Sequence, residues 1–193
     1  MRALWMTILA FAVALSALVA APQAAMAAIG DTVLVGGTGG AYDRDQCPPG
    51  YFLAGMHYQG NFDTNQVRAI CKQFVNGNAT DSVVELHWWG RPAEATYGFG
   101  AEGTNPSCPN NTAVQGITVF YSPRVGLVHE FQFRCRNPNN HDYIDATRSN
   151  VRRGAATTSG TADCGGGAMA VGIVVRHGAL IDALGLICET QDA

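Results

Sequence analysis

Three stretches of the chain repeat one pattern, and a repeat constrains a fold before any local feature does. The first opens at Cys47 and closes at Cys71, the second runs from Cys108 to Cys135, and the third from Cys164 to Cys188. In each, glycine is the eighth residue after the opening cysteine: Gly55, Gly116 and Gly172. An apolar residue follows it (Met56, Ile117, Ile173), and another stands four before the closing cysteine (Val67, Phe131, Leu184).

The repeat also reads as a disulfide scheme. Met1-Arg2, an uncharged apolar run from Ala3 to Ala21, and the small residues Ala24 to Ala28 describe a secretory signal peptide. Ala25 and Ala27 fit its cleavage site, so residues 1–27 are expected to leave and 28–193 to form one domain. No further membrane span is expected in that domain. All six cysteines lie in it, an even number in an exported chain, so disulfides are the default. The repeat pairs Cys47 with Cys71, Cys108 with Cys135 and Cys164 with Cys188, each bridge inside its own unit. By loop-closure entropy each is worth roughly 3–4 kcal/mol. No Cys-x-x-Cys spacing occurs, which argues against a zinc thiolate site.

Charged residues are sparse, at 14%, and the net charge is −3. There is no basic patch with interleaved aromatics, which excludes nucleic acid as the expected partner. High glycine with abundant Thr, Asn and Val suits an all-β extracellular domain. No amphipathic helix is legible after the leader.

Unit three reads as a hairpin. A turn at His177-Gly178 pairs Arg176 with Ala179, Val175 with Leu180 and Ile173 with Asp182. That register puts Met169, Val171, Ile173, Val175, Leu180, Leu184 and Leu186 on one face, and Ala168, Ala170, Gly172, Ala183 and Gly185 on the other. Cys188 then faces Gly167, and Gly165-Gly-Gly167 folds Cys164 back to meet it. In unit one, Phe52 to Tyr58 and Val67 to Cys71 are strands around a turn at Gln59 to Asp63.

Units one and two have strand-bearing segments after their closing cysteine, whereas almost nothing follows Cys188. The strand at Asp31-Thr-Val-Leu-Val35 is spare and resembles the start of Asp81-Ser-Val-Val-Glu-Leu-His-Trp-Trp89. It is therefore expected to complete unit three and bring the ends of the domain together. The expected fold is all-β: a β-prism of three pseudo-equivalent antiparallel sheets, closed by pairing of N- and C-terminal strands.

The unit-one motif Cys47-Pro-x-Gly50-Tyr51, Ala54-Gly55-Met56, Asp63-Thr64 and Val67-Arg68-x-Ile70-x-Cys71 resembles the repeat of the vitelline membrane outer layer protein I family. That family is built as a β-prism. The stretch Arg176-x-Gly178-x-x-Ile181-Asp182-Ala183-Leu184-Gly185 and the Gly36-Gly-x-Gly-Gly40 loop resemble elements of jacalin-related lectins, which share the prism. Unit two departs from the pattern, with Asn110-Asn111 in place of Pro-Gly. The resemblance implies association with extracellular coats, with possible substrates among N-acetylglucosamine oligomers.

The candidate ligand residues follow from these motifs. Gly178 and Asp182 have the Gly-x-x-x-Asp spacing of a jacalin-type sugar loop, where a carboxylate accepts hydroxyl protons; the competing role is satisfying turn amides. Asp63, in the first unit's turn, carries the same two readings. Trp88 and Trp89 are strand neighbours, so their rings point to opposite faces; one enters the core and the other is open to an interface or a sugar ring. Asn137, Asn139, Asp142 and Asp145 form an oxygen-rich loop without the EF-hand spacing, and such loops are commonly built this way for turn reasons. Among the five histidines no metal spacing occurs, and no cofactor is expected. There is no Gly-x-Ser-x-Gly nucleophile, and every cysteine is assigned to a bridge. Of the carboxylates, Asp63, Glu85, Glu130 and Asp182 are open to glycosidase chemistry. The leading expectation is a secreted or periplasmic module that binds carbohydrate. A structural coat protein without a small ligand and an enzyme on amino-sugar polymers are the alternatives.

Overall fold

The computed structural model describes residues 28–60, 63–92, 106–109, 111–139, 143–145, 149 and 158–190. The leader, the glycine-rich stretch 93–105, Asp142 and most of 146–157 lie outside them. In chain order the strands begin with β1 (Ile29–Asp31), β2 (Val35–Gly36) and β3 (Ala41–Gln46). Unit one supplies β4 (Tyr51–Gly60) and β5 (Thr64–Val75), followed by β6 (Asn78–Glu85) and β7 (Trp89–Gly90). Unit two supplies β8 (Ala113–Tyr121) and β9 (Val128–Arg136), followed by β10 (Tyr143–Asp145) and β11 (Thr158–Asp163). Unit three is β12 (Met169–His177) and β13 (Ile181–Glu189).

These strands form three antiparallel sheets, one centred on each hairpin, as a prism requires. The first holds β4-β5-β6 with β7 beside β5; the second runs β10-β9-β8-β11; the third runs β1-β13-β12-β3 with β2 also on β13. The N-terminal strands complete the third sheet: Gly30 pairs with Cys188, and Val35 pairs with Leu184. The inner faces meet in one core that includes Leu53, Met56, Tyr58, Ile117, Phe131, Phe133, Ile173 and Leu184, all 2% exposed or less.

The disulfides are Cys47–Cys71, Cys108–Cys135 and Cys164–Cys188, as the repeat indicates. The structure also explains why cysteine and glycine keep a fixed spacing. Each glycine follows a bulged residue, and the strand from the next unit crosses it closely. The amide of Cys108 donates to the carbonyl of Ala54 (2.7 Å), that of Cys164 to Gln115 (2.8 Å), and that of Cys47 to Val171 (2.8 Å). A Cβ on Gly55 would stand 2.7 Å from the Pro106 carbonyl oxygen, and one on Gly172 would collide with the Asp45 carbonyl. Every unit is thus clamped to the one before it, and the ring closes.

Several local expectations are corrected. In unit three His177 pairs with Ile181 and Arg176 with Ala183, so the turn spans 178–180 and Asp182 is the extra residue of a bulge. A second bulge between Ala170 and Gly172 reverses the facing before it: Ala170 joins the core, while Val171 packs outside with Val174 and Ile187, against Leu34 and Phe52. Cys188 therefore faces Ala170, not Gly167. Period-two counting fails here because each bulge adds one residue to one strand. The strand expected from Asp81 to Trp89 is broken at 86–88, and the one from Asp31 to Val35 at 32–34. Finally, the structural counterpart of Asp31 is Glu85, not Asp81. Asp31 pairs with Ile187 and Glu85 with Ile70, each one residue before its closing cysteine.

Candidate functional site

The same bulge recurs at the start of every return strand. In unit one Gln59 pairs with Gln66 and Gly60 with Thr64, leaving Asn65 over. In unit two Phe120 pairs with Glu130 and Tyr121 with Val128, leaving His129 over. In unit three the extra residue is Asp182. Three different side chains thus occupy one backbone position, and their surroundings differ.

At Asp182 the Gly36-to-Gly40 loop folds over the end of the third sheet. The Gly37 amide donates to the Asp182 carbonyl (2.8 Å) and to the Gly126 carbonyl (2.9 Å). Gly36 and Gly40 have φ of +135° and +71°, so L side chains are strained there. A Cβ on Gly39 would lie 2.8 Å from Asp182 Oδ1, and one on Gly40 would lie 2.7 Å from Oδ2. The glycines therefore let the backbone lie against the carboxylate. Among the described residues nothing donates a hydrogen bond to that carboxylate. Burial raises its pKa above the ordinary carboxylate value, outweighing the pull of His177 and Arg176 in the other direction.

The surrounding side chains hold the turn in place. His177 Nε2 bonds Asp43 Oδ2 (2.9 Å) across the β12–β3 pair. Its ring centroid lies 5.1 Å from that of Trp89, which also meets His87 at 4.9 Å. The Arg91 amide donates to the Ala179 carbonyl (3.3 Å). Arg176 Nη1 makes a long bond to the Thr38 carbonyl (3.4 Å). A Cβ on Gly178 would meet no atom within 4 Å, so the fold itself does not demand glycine there.

The five residues expected at a ligand site are not gathered in one place. Gly178 and Asp182 share the third unit's turn. Trp89 packs against the core and abuts His177, so it supports that turn from within. Trp88 lies in the break before β7 and not in the strand that the sequence led us to expect. Its ring covers the Arg68 guanidinium at 4.7 Å, and Glu85 ties Arg68 (2.6 Å) to His57 (2.9 Å) beside it. Asp63 belongs to a third place. Its Oδ1 bonds Nδ1 of the buried His129 at 2.8 Å, joining the turns of units one and two. The described residues place Glu85 and Asp63 in these separate side-chain bonds.

Sequence reasoning passed over Arg176, His177, Asp43 and Tyr42 around the Asp182 turn. The signal for the site was the Gly36-to-Gly40 loop, which packs against the turn although over a hundred residues separate them. In the Asn-rich segment, Asn137 Oδ1 accepts from the Asn139 amide (2.8 Å), and Asn139 Nδ2 donates to Gly77 (3.2 Å). No group of His, Cys, Asp or Glu among the described residues is arranged to hold a metal ion. A pocket of about 340 Å³ opens at the other end of β13, beside Cys164 and Cys188, and its lining has no tryptophan.

No family model and no curated protein matches the sequence. Solved structures do match in fold. Wild-type Malaysian banana lectin aligns over 86% of this chain and 99% of its own, at 12% identity and a TM-score of 0.54. AcmJRL, a mannose-binding jacalin-related lectin from Ananas comosus, aligns over 84% and 99%, at 14% identity and 0.53. Lamprey immune protein aligns over 89% of this chain but 47% of its own, at 15% identity and 0.53. These likenesses are of architecture, and by architecture the chain is a β-prism of the kind found in jacalin-related lectins.

Proposed function

We propose that this protein is an exported glycan-binding module whose sugar site is the Asp182 turn under the Gly36-to-Gly40 loop. The observation that carries this reading is the state of Asp182. Its carboxylate is partly desolvated, receives no hydrogen bond from a described residue, and lies against backbone rather than side chains. Such a group is an acceptor prepared for donors from outside, and adjacent sugar hydroxyls are donors of that kind. Room above Gly178 lets a ring approach. The mannose-binding neighbour and the resemblance to vitelline membrane outer layer protein I point to extracellular carbohydrate as the ligand class. Three disulfides without a free cysteine agree with export.

A glycan array followed by titration calorimetry tests the reading. Binding to a sugar class that falls at least about tenfold in Asp182→Asn is expected. A folded, disulfide-bonded protein that binds nothing on the array refutes it. N-terminal sequencing of the exported protein should start at Ala28.

A further inference from the structure

Beside Asp182, on the outer face of the third sheet, stands a cation that is ion-paired to no carboxylate among the described residues. Three other arginines of the sheets are ion-paired: Arg44 with Asp31 (2.8 Å), Arg68 with Glu85 (2.6 Å) and Arg134 with Asp163. Arg176 is half-buried, and its described bond is the long contact with the Thr38 carbonyl (3.4 Å). It is near enough to Asp182 to oppose the rise of that carboxyl's pKa, yet the two form no ion pair. Across the strand pair its partner is Tyr42, whose side chain is 46% exposed. The Tyr42 hydroxyl donates to Asp31 Oδ2 (2.8 Å), and that carboxylate is clamped by Arg44. The phenol ring is therefore held while remaining accessible.

We infer that Asp182, Arg176 and Tyr42 form one extended site that prefers a glycan bearing an anionic group, a uronate carboxylate or a sulfate ester. This inference rests on the sugar-site reading above. Asp182 takes the hydroxyls of one sugar unit. The guanidinium fork of Arg176 takes the anionic group next to it, because it matches planar or tetrahedral oxyanions with two donors at once. Tyr42 offers a fixed aromatic surface to the ring that carries that group. Leaving Arg176 without an ion-paired carboxylate among the described residues has a physical cost at a half-buried position, and an anionic ligand supplies a counter-charge.

Three trisaccharides separate the outcomes: mannotriose, a mannuronate trimer, and mannotriose sulfated at one O6. At low salt at least one anionic trimer should bind about tenfold or more tightly than mannotriose. The preference should shrink as salt is raised. Arg176→Gln should abolish the preference whatever it does to mannotriose affinity itself, and Arg176→Lys should keep part of it. Lys72→Gln, on the first sheet, is the control and should change nothing. Which anionic trimer wins tells carboxylate from sulfate. Equal affinities for all three, or a preference that survives in a folded Arg176→Gln protein, overturn this inference and leave the sugar site standing. Binding of none of them, together with an empty glycan array, refutes both.

Discussion

The turns of units two and three share one backbone geometry and put it to opposite use. Both return strands carry a bulge six residues before the closing cysteine, at His129 and at Asp182. The His129 side chain is 5% exposed and bonded to Asp63 of the neighbouring unit. Asp182 lies against glycine backbone and receives no hydrogen bond from a described residue. A threefold architecture thus supplies one kind of position three times over, and the side chain placed there decides whether it ties two units together or stays unsatisfied, as the proposed sugar site requires. A polar group satisfied inside the protein has little left to offer a ligand, and one left unsatisfied destabilises the fold until something binds.

The sharpest break of this comparison is His129→Ala. It leaves Asp63 without its buried partner and opens a void, so a loss of about 3 kcal/mol is expected, or roughly 6–12 °C in melting temperature. Sugar affinity of the remaining folded protein should not move. A large change in affinity with little change in stability would show that the two turns do not divide the roles this way. Gly40→Ala comes next. The left-handed φ and the nearby His177 carbonyl make it cost about 1–3 kcal/mol. Here affinity should fall as well, because the displaced loop moves off Asp182.

Asp182→Asn should do the reverse of His129→Ala: lose binding while melting at the same or a slightly higher temperature near pH 7. The sign follows from linkage. A carboxyl whose folded pKa is raised above its ordinary 3.8 favours the fold while protonated, and that contribution is lost as pH rises through the folded value. Replacing the charge removes this cost, and the stability-against-pH curves of the two proteins should converge in acid. Sugar binding of the natural protein should weaken on acidification earlier than an ordinary carboxylate predicts. The smallest effect is expected at Asp31. The Arg44 hydrogen bonds, aided by Tyr42, lower its pKa against the effect of burial. Its contribution is present above the ordinary 3.8 and lost as pH falls through the lowered folded value. Because the pair is exposed, Asp31→Asn should cost at most about 1 kcal/mol, and less in high salt. A larger loss would mean that the Asp31–Arg44–Tyr42 clamp holds the third sheet more firmly than its exposure implies.

Much of the architecture was legible because it is written in spacing. Cysteine, glycine and apolar positions recur at fixed offsets, and a disulfide, a close strand crossing and a core contact each demand a narrow class of residue. The registers were not legible. Ala54, Gln115 and Val171 give no sign in themselves of being bulged, and one extra residue turns every later side chain to the other face. The candidate site was half legible. Gly178 and Asp182 carried a local motif, whereas Trp88 and Asp63 looked equally suitable and are engaged by Arg68 and His129.

The sequence by itself determined the threefold prism, the three disulfides and the use of the N-terminal strands to close the ring. Those follow from repeated local constraints that a one-dimensional pattern can hold. Only the tertiary structure decided which turn keeps a carboxylate that no described residue satisfies. That depends on what arrives from elsewhere in the chain: a histidine from unit two closes on Asp63, and a glycine loop from the start of the domain leaves Asp182 open. Whether a polar group is satisfied is a property of its neighbours in space, and the sequence does not print them side by side.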